Sequence, residues 1–129
     1  MRLLLDTQAA AWWWLADPRL PKAAADALAE PANAIFVSAA SAWEFATKLR
    51  IGKWPGVADI VANFPRYLEQ SDFAELPIRA EHARMAGMMQ NAHRDPFDRM
   101  IAAQARLEDM TVVSGDSALA TFQIRIMWD

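Results

Sequence analysis

Leu3-Leu4-Leu5-Asp6 decides how the rest of the chain reads. Three consecutive large aliphatic residues leave no polar face, so a strand here is buried on both sides. The acid that ends the run then sits at the carboxyl end of that strand. Working outward, Ala34-Ile35-Phe36-Val37 is a second apolar strand, and Phe73-Ala74-Glu75-Leu76 and Thr111-Val112-Val113-Ser114 are shorter ones. Gln123-Ile124-Arg125-Ile126 reads as the last. Between them the pattern predicts helices over 8–16, ending at Asp17-Pro18, and over 21–30, opened by Pro21. Further helices run from Ser38 to about Leu49, over 57–70 with a bend at Pro65, and over 80–90. The strongest starts at Asp95-Pro96 and runs to about Asp109. Short apolar strands alternating with helices require right-handed crossovers and a parallel sheet covered on both faces. The expected fold is a three-layer α/β/α arrangement around a parallel sheet of four to five strands. No repeat, low-complexity linker or shift in composition divides residues 1–129, so one domain is expected.

The bulk numbers agree. A chain of 129 residues with 54% hydrophobic and 22% charged residues can bury a real core. No apolar run is long enough to span a bilayer, and Met1-Arg2 to Asp6 reaches a charge too soon for a signal-peptide core. Without cysteine there are neither disulfides nor thiolate metal ligands, which points to the cytoplasm. The net charge of −3 argues against a broad nucleic-acid-binding face. It does not argue against a site where acids are concentrated around a metal.

In open parallel sheets, ligands collect beyond the carboxyl ends of the strands. Asp6 lies there, and Asp116 follows the fourth strand by two residues. Glu44 lies early in the helix after the second strand, and Asp98 early in the helix before the fourth. Four carboxylates brought to one edge repel one another, and some must stay protonated unless a cation joins them. Mg²⁺, which takes oxygen ligands and keeps several waters, resolves the conflict and suits phosphodiester hydrolysis. Each acid also has an ordinary explanation. Ser41-Ala42-Trp43-Glu44 matches a capping box, an explanation that fails if Ser38 is the N-cap. Asp95 reads as an N-cap before Pro96, whereas Asp98 shares a face with Ala102 and Ala105, the face expected to meet the sheet. Asp116 has the position to cap a short helix from Ser117. Asp6, ending a wholly apolar strand, is the hardest to explain by structure alone.

At these residues the chain resembles the PIN-domain family, and specifically its VapC-like ribonuclease toxins. The resemblance is carried by Leu3–Thr7, Val37–Glu44, His93–Ala105 and Thr111–Asp116, in the family's order. Asp95-Pro96-Phe97-Asp98-Arg99 followed by an Ala-rich helix is its most specific part. The resemblance implies that Asp6, Glu44, Asp98 and Asp116 hold Mg²⁺ or Mn²⁺ and activate water for in-line attack on an RNA phosphate. Thr7, Ser38 and Ser114 would support these acids by hydrogen bonding. It further implies a cognate antitoxin protein as partner and a homodimer. Two positions depart from the family pattern: Gln8, where relatives often have His, and Gly115, where a basic residue is common.

Among the cations, Arg94 and Arg99 flank the expected site and are candidates for phosphate binding, with Lys48 beside Glu44. Arg50 and Lys53 extend that basic rim. Trp12, Trp13 and Trp14 are consecutive on one helix and cannot all face one core, so at least one is expected to be exposed as an anchor for a partner. His82 and His93 are not spaced as metal ligands, though His93 is placed for substrate contact. The competing function is a non-catalytic PIN-like module that binds RNA or protein. A dehalogenase-like phosphatase would need an Asp at position 8, and a receiver domain would need paired acids at the first strand end; neither is present.

Overall fold

The structure, a computed structural model, describes residues 1–129. Five parallel strands form one sheet: β1 (Arg2–Leu5), β2 (Ala34–Ser38), β3 (Ala74–Leu76), β4 (Thr111–Val113) and β5 (Ile126–Met127), in the order β3-β2-β1-β4-β5. Eight α-helices connect them: α1 (Thr7–Trp14), α2 (Lys22–Ala29), α3 (Ala39–Arg50), α4 (Ala58–Ala62), α5 (Phe64–Ser71), α6 (Ala80–Met88), α7 (Pro96–Glu108) and α8 (Ser117–Ala120). No helix is long and apolar enough to cross a membrane.

The alternation of side chains along β1 builds two cores. Leu3 and Leu5 join a cluster with Ala9, Leu28, Phe45, Ile60 and Phe64, contributed by α1 through α5. Leu4, between them, enters a second cluster with Ile101, Ala102, Ala105, Val112 and Leu119, where α7 and α8 cover the other face. All three leucines are fully buried. Their burial at about 25 cal/mol per Å² of apolar surface is what makes this strand the centre of the sheet.

Topology positions the site. From β1 the chain adds β2 and then β3 on one side, and returns to place β4 on the other side of β1. The strand order therefore reverses at β1/β4, and the crevice beyond the carboxyl ends of these two strands is where a ligand fits. Asp6 and Ser114 are the residues that immediately follow those strands.

Two elements differ from the sequence expectation. The helix expected over 57–70 is two helices separated at Asn63, because Pro65 in the first turn of α5 cannot continue the ladder of α4. The last strand is Ile126–Met127 and not 123–126. Gln123 has a left-handed backbone (φ 59°), so the chain is still turning where extended structure was expected.

Candidate active site

A cavity of about 580 Å³ opens at the switch point, lined by Asp6, Glu44, Asp95, Asp98 and Asp116 among others. Each acid arrives by a different local device. Asp6 ends β1 and caps α1, its Oδ1 accepting from the Ala9 amide at 2.7 Å. Its Oδ2 accepts from the Ser114 hydroxyl at 2.5 Å, which ties β1 to β4 across the crevice. Asp116 caps α8 through the Ala118 amide, so the ordinary explanation of this residue is correct and the side chain still faces the cavity. Ser38, not Ser41, is the N-cap of α3, accepting from the Ala40 amide. Glu44 is thereby a second-turn residue with no capping role, and it is buried all the same.

Asp95 caps α7, accepting from the Phe97 and Asp98 amides. Asp98 is hydrogen-bonded to His93 Nε2 at 2.9 Å. Ligand atoms of His93, Asp95 and Asp98 lie within 4.8 Å of one another. Asp95 is thus both a cap and a member of the acid group, a double role that reading it as a cap alone had missed.

The electrostatics show what these acids cost. Burial, reinforced by the charges of Asp98 and Asp116, pushes the Asp6 carboxyl up to about 6 against the hydrogen bonds from Ser114 and Ala9. Asp98 is raised first by burial and then by Asp95, Asp116 and Glu44, with only His93 opposing. Glu44 is neutralised differently, by Lys48 Nζ at 2.5 Å. Burial pulls the Lys48 ammonium down, but the hydrogen bond to Glu44 and the charges of Glu44, Asp95 and Asp98 prevail and hold it above its ordinary value.

Five carboxylates share the cavity with two cations, Arg19 and Lys48, and Arg19 is already paired with Asp17. An all-oxygen set of mutually repelling carboxylates, with Asp6 and Glu44 buried, Asp95 and Asp98 half-buried and Asp116 exposed, is the donor chemistry of Mg²⁺ or Mn²⁺. The residues fit such an ion.

Several expected roles move. Arg99, expected at phosphate, is engaged by the backbone instead: its guanidinium donates to the carbonyls of Ala86, Met89, Asn91 and His93 at 2.7–3.0 Å. It is the internal scaffold of the loop between α6 and α7. Arg94 is exposed and lies outside the cavity lining, as do Arg50 and Lys53. Of the supporting hydroxyls only Ser114 meets an acid. Thr7 pairs with Ser41, and Ser38 donates to Gln104, so these two brace the helix starts. His82 is a structural residue, its Nδ1 accepting from the Arg79 amide and its Nε2 facing Glu108.

The tryptophan run also reads differently. Trp14 packs among Phe45, Phe64, Tyr67 and Phe73, and Trp13 against Phe73. Trp12 lines the cavity, and the tryptophan that is most exposed is Trp43, at 55%. Arg19, Trp54 and Trp128 are cavity residues that the sequence reading did not single out. Trp128 follows β5 directly, so the strand-end rule finds it once that strand is placed at 126–127.

Compared with known proteins, residues 3–124 match a family model described as the PIN domain. No curated protein matches the chain. Among solved structures it is similar to VapBC2 from Rickettsia felis bound to a DNA fragment from their promoter, with TM-score 0.69 and 16% identity over 100% of both chains. It is also similar to FitAB bound to the IR36 DNA fragment, with TM-score 0.61 and 17% identity over 97% of this chain and 93% of that one. FitAcB from Neisseria gonorrhoeae gives TM-score 0.61 and 19% identity, over 97% and 96% of the two chains. At such identities the likeness is one of fold.

Proposed function

We propose, from the premise that this chain belongs to the PIN-domain family, that it is a metal-dependent endoribonuclease and the toxin half of a type II toxin–antitoxin pair. The observation that carries the reading is the convergence of Asp6, Glu44, Asp98 and Asp116 on one cavity at the sheet's switch point. The toxin assignment rests on the sequence resemblance to VapC-like toxins, and the fold shared with VapBC2 supports it. On this reading the partners are an RNA substrate, a cognate antitoxin and a second copy of the chain, in the cytoplasm.

Asp6, Glu44, Asp98 and Asp116 would hold Mg²⁺ or Mn²⁺. Bound there, the ion supplies a polarised water for attack on phosphorus and neutralises charge on the phosphate. The chain's own groups prepare the site for that. Ser114 and the Ala9 amide fix the rotamer of Asp6, and His93 fixes that of Asp98. Lys48 Nζ has donors beyond the one given to Glu44 and is the cavity cation placed to hold a phosphate oxygen. Asp95 adds negative charge beside Asp98 and so favours occupancy by a cation.

Cleavage of a labelled single-stranded RNA tests the proposal. Internal cuts are expected with Mg²⁺ or Mn²⁺, none with chelator, and none from Asp98→Asn. Binding of RNA without cleavage in either metal would replace the proposal with the non-catalytic module.

A further inference from the structure

Trp12 and Trp128 are built unlike Trp14, which shares a helix with Trp12. Trp14 is surrounded by four aromatic rings and donates its indole N–H to Ser71 Oγ at 2.9 Å. Trp12 belongs to neither core cluster, and Trp128, half-buried like Trp14, packs against one of them without that cage of rings. Neither indole N–H has a partner within the protein, and neither is sealed away from water. Both rings are half-buried, 5.9 Å apart, and both line the acid cavity.

Two further features hold this pair in place. The Trp128 indole lies on Gly115 so closely that a Cβ there would come within 2.6 Å of it. The position one residue before Asp116 is thus given over to an aromatic surface. On the other side, the Arg19 guanidinium sits 4.7 Å from the centre of Trp12. Asp17 clamps that arginine by accepting from its Nε and Nη2 as well as from its backbone amide. Arg19, Trp12 and Trp128 therefore form a run of planar groups along one wall of the cavity, cationic at one end.

We propose that Trp12 and Trp128, with Arg19, form a stacking ledge for a nucleobase of single-stranded RNA beside the acid cavity. This rests on the reading of the cavity as a ribonuclease site. Aromatic faces and guanidinium planes are how proteins hold unstacked bases, and such stacking tolerates any base. A net charge of −3 leaves little long-range attraction for RNA, so local stacking next to Asp116 supplies binding that the overall charge does not. The ledge also explains why Gly115 has no side chain.

Equilibrium binding of a short oligouridylate in Ca²⁺ tests the ledge, comparing the intact strand with strands carrying a single abasic spacer moved along it. At one spacer position the wild type should lose roughly ten- to hundredfold in affinity, the range expected for one stacked base. Trp128→Leu should abolish that difference, and Trp128→Phe should keep part of it. Gly115→Ala, an exposed change that displaces the indole without removing it, should weaken it too and guards against a folding artefact. A spacer penalty of unchanged size in Trp128→Leu and Gly115→Ala overturns the ledge. So does the same unchanged penalty with loss of antitoxin binding, which would make the pair a protein-docking site. Cleavage in Mg²⁺ is scored separately. A ledge-dependent spacer penalty in a protein that cuts no RNA keeps the ledge and removes the nuclease reading, whereas cleavage without the penalty does the opposite.

Discussion

Asp6 and Glu44 are about equally buried, at 7% and 6% exposure, and the two halves of the site they represent solve the same problem differently. On the strand side, Asp6 is held by a backbone amide and the Ser114 hydroxyl alone, with no cation against it. Dipoles orient the carboxylate but do not replace the water it lost, and its carboxyl rises to about 6. On the helix side, Glu44 is matched by Lys48 one turn away, a flexible ammonium that is 36% exposed. Asp98, also helix-borne, has His93. The strand half is left short of positive charge, and the helical half carries a partly exposed ammonium. On the proposed function, the strand ends would take the divalent ion and Lys48 would be left for substrate.

The largest effect that tests this division is on catalysis. Asp6→Asn and Asp98→Asn should each lower the cleavage rate by more than the roughly 10- to 100-fold that loss of an outer partner costs. Yet Asp6→Asn should stabilise the metal-free protein. The rise of the Asp6 carboxyl from 3.8 to about 6 corresponds to at most about 3 kcal/mol of unfavourable burial at neutral pH. Asn can still cap α1. Because the folded state holds the Asp6 proton where the unfolded chain has released it, metal-free stability should fall as pH rises from about 4 through about 6. Thermal melts across that window check the sign. A flat profile, or a wild type whose melting temperature ignores millimolar Mg²⁺, would break the comparison.

Next in size is Arg99→Lys. Removing a fork that satisfies four carbonyls should cost about 2 kcal/mol, while the rise in melting temperature with Mg²⁺ persists. A large rise in KM for RNA at unchanged stability would instead restore Arg99 as a phosphate ligand. Lys48→Met should cost about 1–2 kcal/mol in the metal-free protein, because the lysine is partly solvated but its loss leaves the buried Glu44 carboxylate without a cation. It should also lower the Mg²⁺ concentration needed for half-maximal stabilisation, because the resident cation no longer competes for Glu44. Asp95→Asn is the smallest. Asn replaces the cap within a few tenths of a kcal/mol, and most cleavage activity should remain. Loss of activity at unchanged stability would show Asp95 acting as a ligand.

Much of this was legible in the residues themselves. Leu3-Leu4-Leu5 reads as a strand buried on both faces, which it is, and that reading brings the parallel sheet and its switch point with it. The same rule places Asp6 and Asp116 at the strand ends, and Ser38 as cap puts Glu44 beyond any capping role. These are local or periodic properties, written in spacing. The partner of each polar group is not. Whether Arg99 faces phosphate or four carbonyls depends on where the loop between α6 and α7 folds back. Whether Gly115 is a bare gap or the floor beneath an indole depends on a residue that meets it only through the β4–β5 pairing. Arg19 joins the cavity by lying across Trp12 after the turn at Asp17. Sequence spacing dictates which element a side chain rides on. What satisfies its charge or hydrogen bond is decided by neighbours distant in the chain, and only the packed sheet brings those together.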